Sequence, residues 1–319
     1  MADTATERTI DLEGLHDHIR LFGKFDQNLT AIEKNVPVAV RVDGNRIVVT
    51  GEPTSVELAL RVLQHMLKAA MNGAVLTPDD VRLTAQDVAL DRDGNHPLET
   101  LFQTQRGKEI RARTSGQREF VRSIDENTLT FGIGPAGTGK TFLAVVMAVR
   151  ALRNREVSRL ILSRPAVEAG EKLGFLPGDL KEKVDPYLRP LYDALAELLD
   201  DGVVTKYIER GIIEVAPLAY MRGRTLSDAF VILDEAQNAT RDQLKMFLTR
   251  LGSGSKMIVQ GDATQVDLPR GASCGLLEAP RLFSGVSDIG IVHFNETDVV
   301  RHPLVSKIIR AYASSENSS

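Results

Sequence analysis

The chain reads as an α/β protein built on a mainly parallel sheet, with a smaller α+β unit ahead of it. Three observations point there. An apolar strand runs into a glycine-rich turn and then an apolar helix. A second apolar strand ends on two adjacent acids, and apolar runs alternate with helical patterns through the last two thirds of the 319 residues.

From the amino terminus, residues 9–72 read as a strand, a helix over residues 15–34, a hairpin around Asp43-Gly44-Asn45 and a closing helix over residues 55–71. Alternation of Val38, Val40 and Val42, then Ile47 and Val49, predicts that one face of the hairpin points inward. Residues 86–113, with Asp91-Arg92-Asp93-Gly94-Asn95-His96-Pro97, read as a linker. The expected division is therefore a small domain over 1–85, a linker over 86–113 and a larger domain over 114–319. Within the larger domain, strands are expected at residues 128–133, 159–163, 212–216, 230–233, 256–259 and 289–294. Helices are expected between them, including 142–152 and the amphipathic stretch 180–199, which reads as a packed surface helix. Residues 314–319 read as a disordered tail.

Gly134, Pro135, Ala136, Gly137, Thr138, Gly139, Lys140 and Thr141 fit the phosphate-loop pattern G-x-x-x-x-G-K-[ST], between a strand and a helix as that pattern requires. Glycines let successive N–H groups face the phosphates, Lys140 reaches the β and γ oxygens, and the Thr141 hydroxyl is a ligand for Mg²⁺. The strand at 230–233 delivers Asp234 and Glu235 to the carboxyl edge of the sheet, where the phosphate loop also lies. There Asp234 is expected to hold the Mg²⁺ and Glu235 to polarise an attacking water, which implies hydrolysis. A third strand ends at Gln260-Gly261-Asp262-Ala263-Thr264-Gln265, where either glutamine is a candidate sensor of the γ-phosphate and Gly261-Asp262 is equally a plain turn. Arg301, just before Pro303, is a candidate cation for charge developing in phosphoryl transfer.

These motifs together resemble the PhoH-like, phosphate-starvation-type ATPases. The residues that carry the resemblance are 134–141, Val231-Ile232-Leu233-Asp234-Glu235-Ala236-Gln237-Asn238, Gly261-Asp262-Ala263-Thr264-Gln265 and Val300-Arg301-His302-Pro303. Ser163-Arg164-Pro165, residues 173–179 and Tyr220-Met221-Arg222-Gly223-Arg224-Thr225 fit as well, so the likeness runs from about Thr114 to the last helix. It implies a P-loop NTPase of the RecA and helicase type, similar to the first motor domain of superfamily 1 helicases, with ATP and Mg²⁺ as cofactors. It also implies Gln117 at the adenine, Gln265 at the γ-phosphate and Arg301 at the same phosphate. The small unit resembles a KH-like domain, but the turn Phe22-Gly23-Lys24-Phe25-Asp26 lacks the GXXG clamp. The resemblance further implies RNA as a partner, a homo-oligomeric ring such as a hexamer, and association with the endoribonuclease that matures ribosomal RNA. Fewer than 20 residues follow Arg301, so a ring is the expected source of a second motor surface.

Composition narrows the alternatives. The formal net charge is −4, which excludes indiscriminate polyanion binding and leaves only local basic stretches, residues 106–113 and Arg222-Gly223-Arg224. Cys274 is the single cysteine, so an internal disulfide or cysteine metal cluster is excluded. The six histidines lack ligand-like spacing. No apolar run approaches the roughly 20 residues that span a bilayer, and the start has no secretion pattern, so a cytoplasmic protein without a membrane partner is expected. A small-molecule kinase is disfavoured because Glu235 beside Asp234 suits water as the acceptor. A nucleotide-switched scaffold for a protein partner stays open, and GTP switching is disfavoured by the missing Asn-Lys-x-Asp motif.

Overall fold

A computed structural model describes residues 6–15, 17–89, 100–105, 107–165, 180–269 and 271–300, with Val305 and Ile308; for residues 180–187 and 201 it describes the backbone alone. The expectations for Arg301, for the tail at 314–319 and for part of the linker therefore fall outside the described residues. The chain divides into two compact units, Met1–Leu101 with Glu109–Ser115, and Phe102–Lys108 with Gly116–Ser319.

In the first unit β1 (Thr6–Asp11), β2 (Val38–Asp43) and β3 (Arg46–Gly51) form an antiparallel sheet in the order β1-β3-β2, with Ile10 beside Ile47 and Val40 beside Val49. Helices α1 (His18–Phe22), α2 (Gln27–Asn35), α3 (Pro53–Met71) and α4 (Pro78–Ala89) complete it. The helix expected over residues 15–34 is broken. Gly23, at φ 73°, ends α1 by turning its N–H onto Ile19, and Phe25 and Asp26 follow at φ 54° and 55° before α2 begins. Leu21, Ile32, Ile47, Val49, Leu63 and Met66 make the core of the unit. Val42 departs from the inward pattern: it lies on the edge strand and is 42% exposed. Residues 86–89, read from sequence as linker, are the last turn of α4. Beyond it β4 (Thr100–Gln103) and β5 (Glu109–Arg111) form a two-stranded ladder.

The second unit is a six-stranded parallel sheet. Along the chain it contains α5 (Ser115–Glu126), β6 (Leu129–Ile133), α6 (Lys140–Arg153), β7 (Arg159–Arg164), α7 (Leu180–Leu198), α8 (Asp201–Glu209) and β8 (Ile213–Pro217). Next come β9 (Ala229–Leu233), α9 (Arg241–Leu248), β10 (Lys256–Gly261), α10 (Gly275–Phe283) and β11 (Ile289–His293). The order is β11-β6-β10-β9-β7-β8. Every residue of β6 and β9 is buried; β9 is accordingly a continuous apolar run, while in β6 the buried Thr130 hydroxyl donates to the Ser123 carbonyl at 3.1 Å. In α7, Leu191, Leu195 and Leu198 recur at helical spacing and are buried, so that stretch is a packed helix. The chain leaves β6 for β7 on one side, and β10 and β11 later flank β6. The carboxyl ends of β6, β9 and β10 thus lie together at a switch in strand order, where α/β sheets form their clefts. No helix among the described residues is long and apolar enough to cross a membrane.

Candidate active site

The phosphate loop leaves β6 at Ile133 and enters α6 at Lys140. Gly134 takes φ 153°, and a Cβ there would stand 2.5 Å from the carbonyl oxygen of Phe294, so only glycine passes beneath that strand end. Gly139 precedes the helix at φ 81°, which leaves the first amides of α6 facing the loop. Lys140 is 8% exposed, and its ammonium donates to the carbonyls of Gly134 (2.7 Å) and Pro135 (2.8 Å) and to Thr138 Oγ1 (3.2 Å). The Phe294 ring lies beneath it at 5.7 Å. Burial holds its pKa below the usual lysine value, and Asp262, Asp234 and Glu235 oppose that shift.

The two acids follow β9. Asp234, 2% exposed, accepts from Thr141 Oγ1 (2.9 Å) and Gln260 Nε2 (3.1 Å) on Oδ1, and its Oδ2 lies 3.2 Å from Nε of Arg164. Burial pushes its carboxyl above the usual range, Arg164 pulls it back, and Glu235 adds to the upward push. Glu235 sits in the left-handed region at φ 51°, a strained conformation for a residue with a Cβ and one found at functional positions. Both its carboxylate oxygens are occupied: Arg164 Nη2 donates to Oε1 and Gln237 Nε2 to Oε2, each at 2.6 Å.

Asp262 joins the third segment to the loop. Its Oδ2 accepts from the Ala136 N–H (2.9 Å) and Gln265 Nε2 (2.8 Å), and its Oδ1 accepts from the N–H (2.9 Å) and hydroxyl (2.7 Å) of Thr264. Burial raises its pKa, but the bonds from Thr264 and Ala136 and the nearby Lys140 outweigh that and lower it. The Asp262 N–H donates to Gln237 Oε1 (3.1 Å), so the segment after β10 is tied to the glutamine that holds Glu235.

Lys140, Thr141, Asp234, Glu235 and the loop thus converge as the sequence implies. Of the two candidate glutamines, Gln260 is turned onto Asp234 and Gln265 onto Asp262. Gln117, 6% exposed, donates to the Thr138 carbonyl at 2.9 Å and so stands against the loop's backbone. Sequence reasoning gave no role to Arg164, Gln237 or Asp262. Arg164 ends the strand that pairs with β9, so its cation lies beside the acids, a neighbourhood set by strand pairing. The basic stretches are largely paired, Lys108 with Glu197 (2.5 Å), Arg111 with Glu109, Arg113 with Asp80 (3.9 Å), and Arg224 with both oxygens of Glu214 (2.6 and 2.7 Å).

A glycine loop between a central parallel strand and a helix, with a threonine-to-aspartate bond at its mouth, defines a P-loop protein of the nucleotide-hydrolysing class. The model of the PhoH-like protein family matches residues 109–313, and the chain belongs to that family. It is 53% identical over 302 residues to a PhoH-like protein of Mycobacterium tuberculosis strain H37Rv, covering 93% of this chain and 85% of that one. A PhoH-like protein of Bacillus subtilis is 52% identical over 304 residues, 94% of this chain and 95% of that one. Protein PhoH of Escherichia coli K12 is 47% identical over 206 residues, 64% and 58% of the two chains. Among solved structures, a SWI2/SNF2 ATPase core from Sulfolobus solfataricus in complex with dsDNA matches with TM-score 0.38 and 14% identity, over 63% of this chain and 47% of that one.

Proposed function

We propose that the protein hydrolyses ATP with Mg²⁺ and uses the cycle to remodel RNA. The observation that carries the hydrolytic half is the arrangement of Thr141, Asp234 and Glu235: the loop's hydroxyl meets one acid at 2.9 Å, and the second acid stands next to it. The residues suit a hard cation, because Thr141 Oγ1 and the carboxylate of Asp234 are oxygen donors. Asp234 Oδ2 is also buried and, although it lies 3.2 Å from Arg164 Nε, accepts no hydrogen bond, so it keeps lone-pair capacity that a cation's water shell would satisfy. Thr141 and Asp234 would hold the Mg²⁺, which when bound supplies charge neutralisation at the β and γ oxygens. Lys140 binds those oxygens from the loop, Glu235 accepts the proton of the attacking water, and Gln237 orients Glu235. Gln265 as γ-phosphate sensor, Gln117 at the adenine and Arg301 as the transition-state cation are the roles the resemblance supports.

Glu235→Gln tests this reading. Nucleotide binding should persist while turnover falls by about 100-fold, the scale of a lost general base. Equal turnover in the two proteins would remove Glu235 from the chemistry. The RNA half, the ring and the endoribonuclease partner rest on the resemblance, and a cytoplasmic location rests on the missing membrane and secretion patterns of the sequence. The pairing of four residues in the two basic stretches with acids favours a second reading, a nucleotide-switched scaffold for a protein partner. ATPase assays with and without RNA separate the two.

A further inference from the structure

Arg164 is the last residue of β7, and the parallel register that sets Ser163 beside Leu233 carries its side chain to the segment that follows β9. That side chain is 15% exposed and meets two carboxylates, Asp234 Oδ2 at 3.2 Å from Nε and Glu235 Oε1 at 2.6 Å from Nη2. The partners differ. The Asp234 side chain is 3% exposed and also held by Thr141 and Gln260, whereas that of Glu235 is 38% exposed. The guanidinium therefore joins an acid fixed by its surroundings to one that has room to change rotamer. A free glutamate samples several staggered wells, and donors on both oxygens select one of them. Arginine suits this task because its donors sit on separate nitrogens of a rigid plane, which a lysine ammonium does not reproduce.

We propose that Arg164 is a positioning residue for hydrolysis: anchored on Asp234, it fixes the Glu235 carboxylate in the orientation used toward the attacking water. This rests on Glu235 being the base, as proposed above. It predicts that Arg164 acts on turnover through Glu235 and has little part in nucleotide capture.

The test is a double-mutant cycle of wild type, R164A, E235Q and R164A/E235Q. Turnover is read at saturating ATP and Mg²⁺, with single-turnover measurements for the slow proteins, and affinity for a fluorescent ATP analogue is read in EDTA. R164A should lower turnover by about 10- to 100-fold, the scale of a misplaced catalytic group. Metal-free affinity should stay within about twofold, and in the E235Q background R164A should cost less than about twofold more, since the group it positions is already gone. R164K should recover only part of the loss, because one ammonium does not span both acids. The proposal is overturned if R164A lowers turnover by the same factor in both backgrounds, if metal-free affinity falls in parallel with turnover, or if R164K restores wild-type turnover. Wild-type turnover in E235Q alone removes the general-base reading and the proposal with it. An E235Q slowed by about 100-fold in which R164A acts additively removes only the proposal. Thermal melts check folding, and R164Q takes the place of R164A in the cycle if R164A melts early.

Discussion

Lys140 and Asp262 are the two charges whose surroundings state most clearly what each does. The ammonium of Lys140 is buried against the carbonyls of its own loop, where no acid comes within bonding distance among the described residues. Lys140→Ala should therefore lower nucleotide affinity by about 10- to 100-fold, the worth of a charge-assisted contact, and abolish measurable hydrolysis. A folded variant with wild-type affinity would sink the site assignment. Asp262 instead serves to hold the loop. Asp262→Asn turns one acceptor into a donor facing donors and should cost about 1–3 kcal/mol of stability. Its pKa is lowered in the folded state, so its contribution is present above the unfolded value and lost as pH falls through the folded one. Melting temperatures recorded downward from neutral pH should fall in wild type below about pH 4 by more than in Asp262→Asn; parallel acid limbs would refute the link.

At the scale of elements, strand ends decide the site. Gly261 closes β10, and a Cβ there would collide with Gln237 Oε1 and stand 2.8 Å from the Leu276 side chain. Gly261→Ala should therefore displace Gln237 and loosen its hold on Glu235. The expected result is a loss of about 1–3 kcal/mol from overpacking, with turnover falling more than nucleotide affinity. Melting curves beside a kcat and affinity comparison would check it, and unchanged turnover would show that Gln237 tolerates the shift. Elements also set the limit of sequence reading. The helix expected over residues 15–34 looked continuous because its apolar residues keep helical spacing on both sides of the break. Gly23 and Asp26 are residue types that admit positive φ, but Phe25 has no local preference that would announce the left-handed turn.

For the whole molecule, the proposed RNA function turns on how many cations are free to meet phosphates. Arg224 is held by Glu214 at both oxygens, and Lys108, Arg111 and Arg113 each face an acid, so among the described residues of those stretches few cations are left to neutralise phosphates. Single-stranded RNA binding, measured by fluorescence anisotropy against salt, should then give a shallow log–log slope, no steeper than about −3, equivalent to about four phosphate contacts. A steeper slope would place the RNA on other cations or require these pairs to break. Ultracentrifugation with and without ATP would show whether the chain assembles into the ring that the resemblance implies.

The parallel sheet, the phosphate loop and the strand-end acids were legible in the amino-acid order because each is local. A strand buried on both faces is dominated by apolar residues, a phosphate turn needs glycines at fixed offsets, and a helix must follow at once. Lys140, Thr141, Asp234 and Glu235 carried their chemistry in their own motifs for that reason. Arg164 and Asp262 did not, because their roles come from which strands lie side by side; Gln237 reaches Glu235 locally and takes only its tie to the Asp262 N–H from strand order. β7 pairs with β9, and β10 inserts between β9 and β6, although these strands are far apart along the chain. Only that pairing, chosen by packing over the whole sheet, sets an arginine against two acids and carries an aspartate to the amide of Ala136.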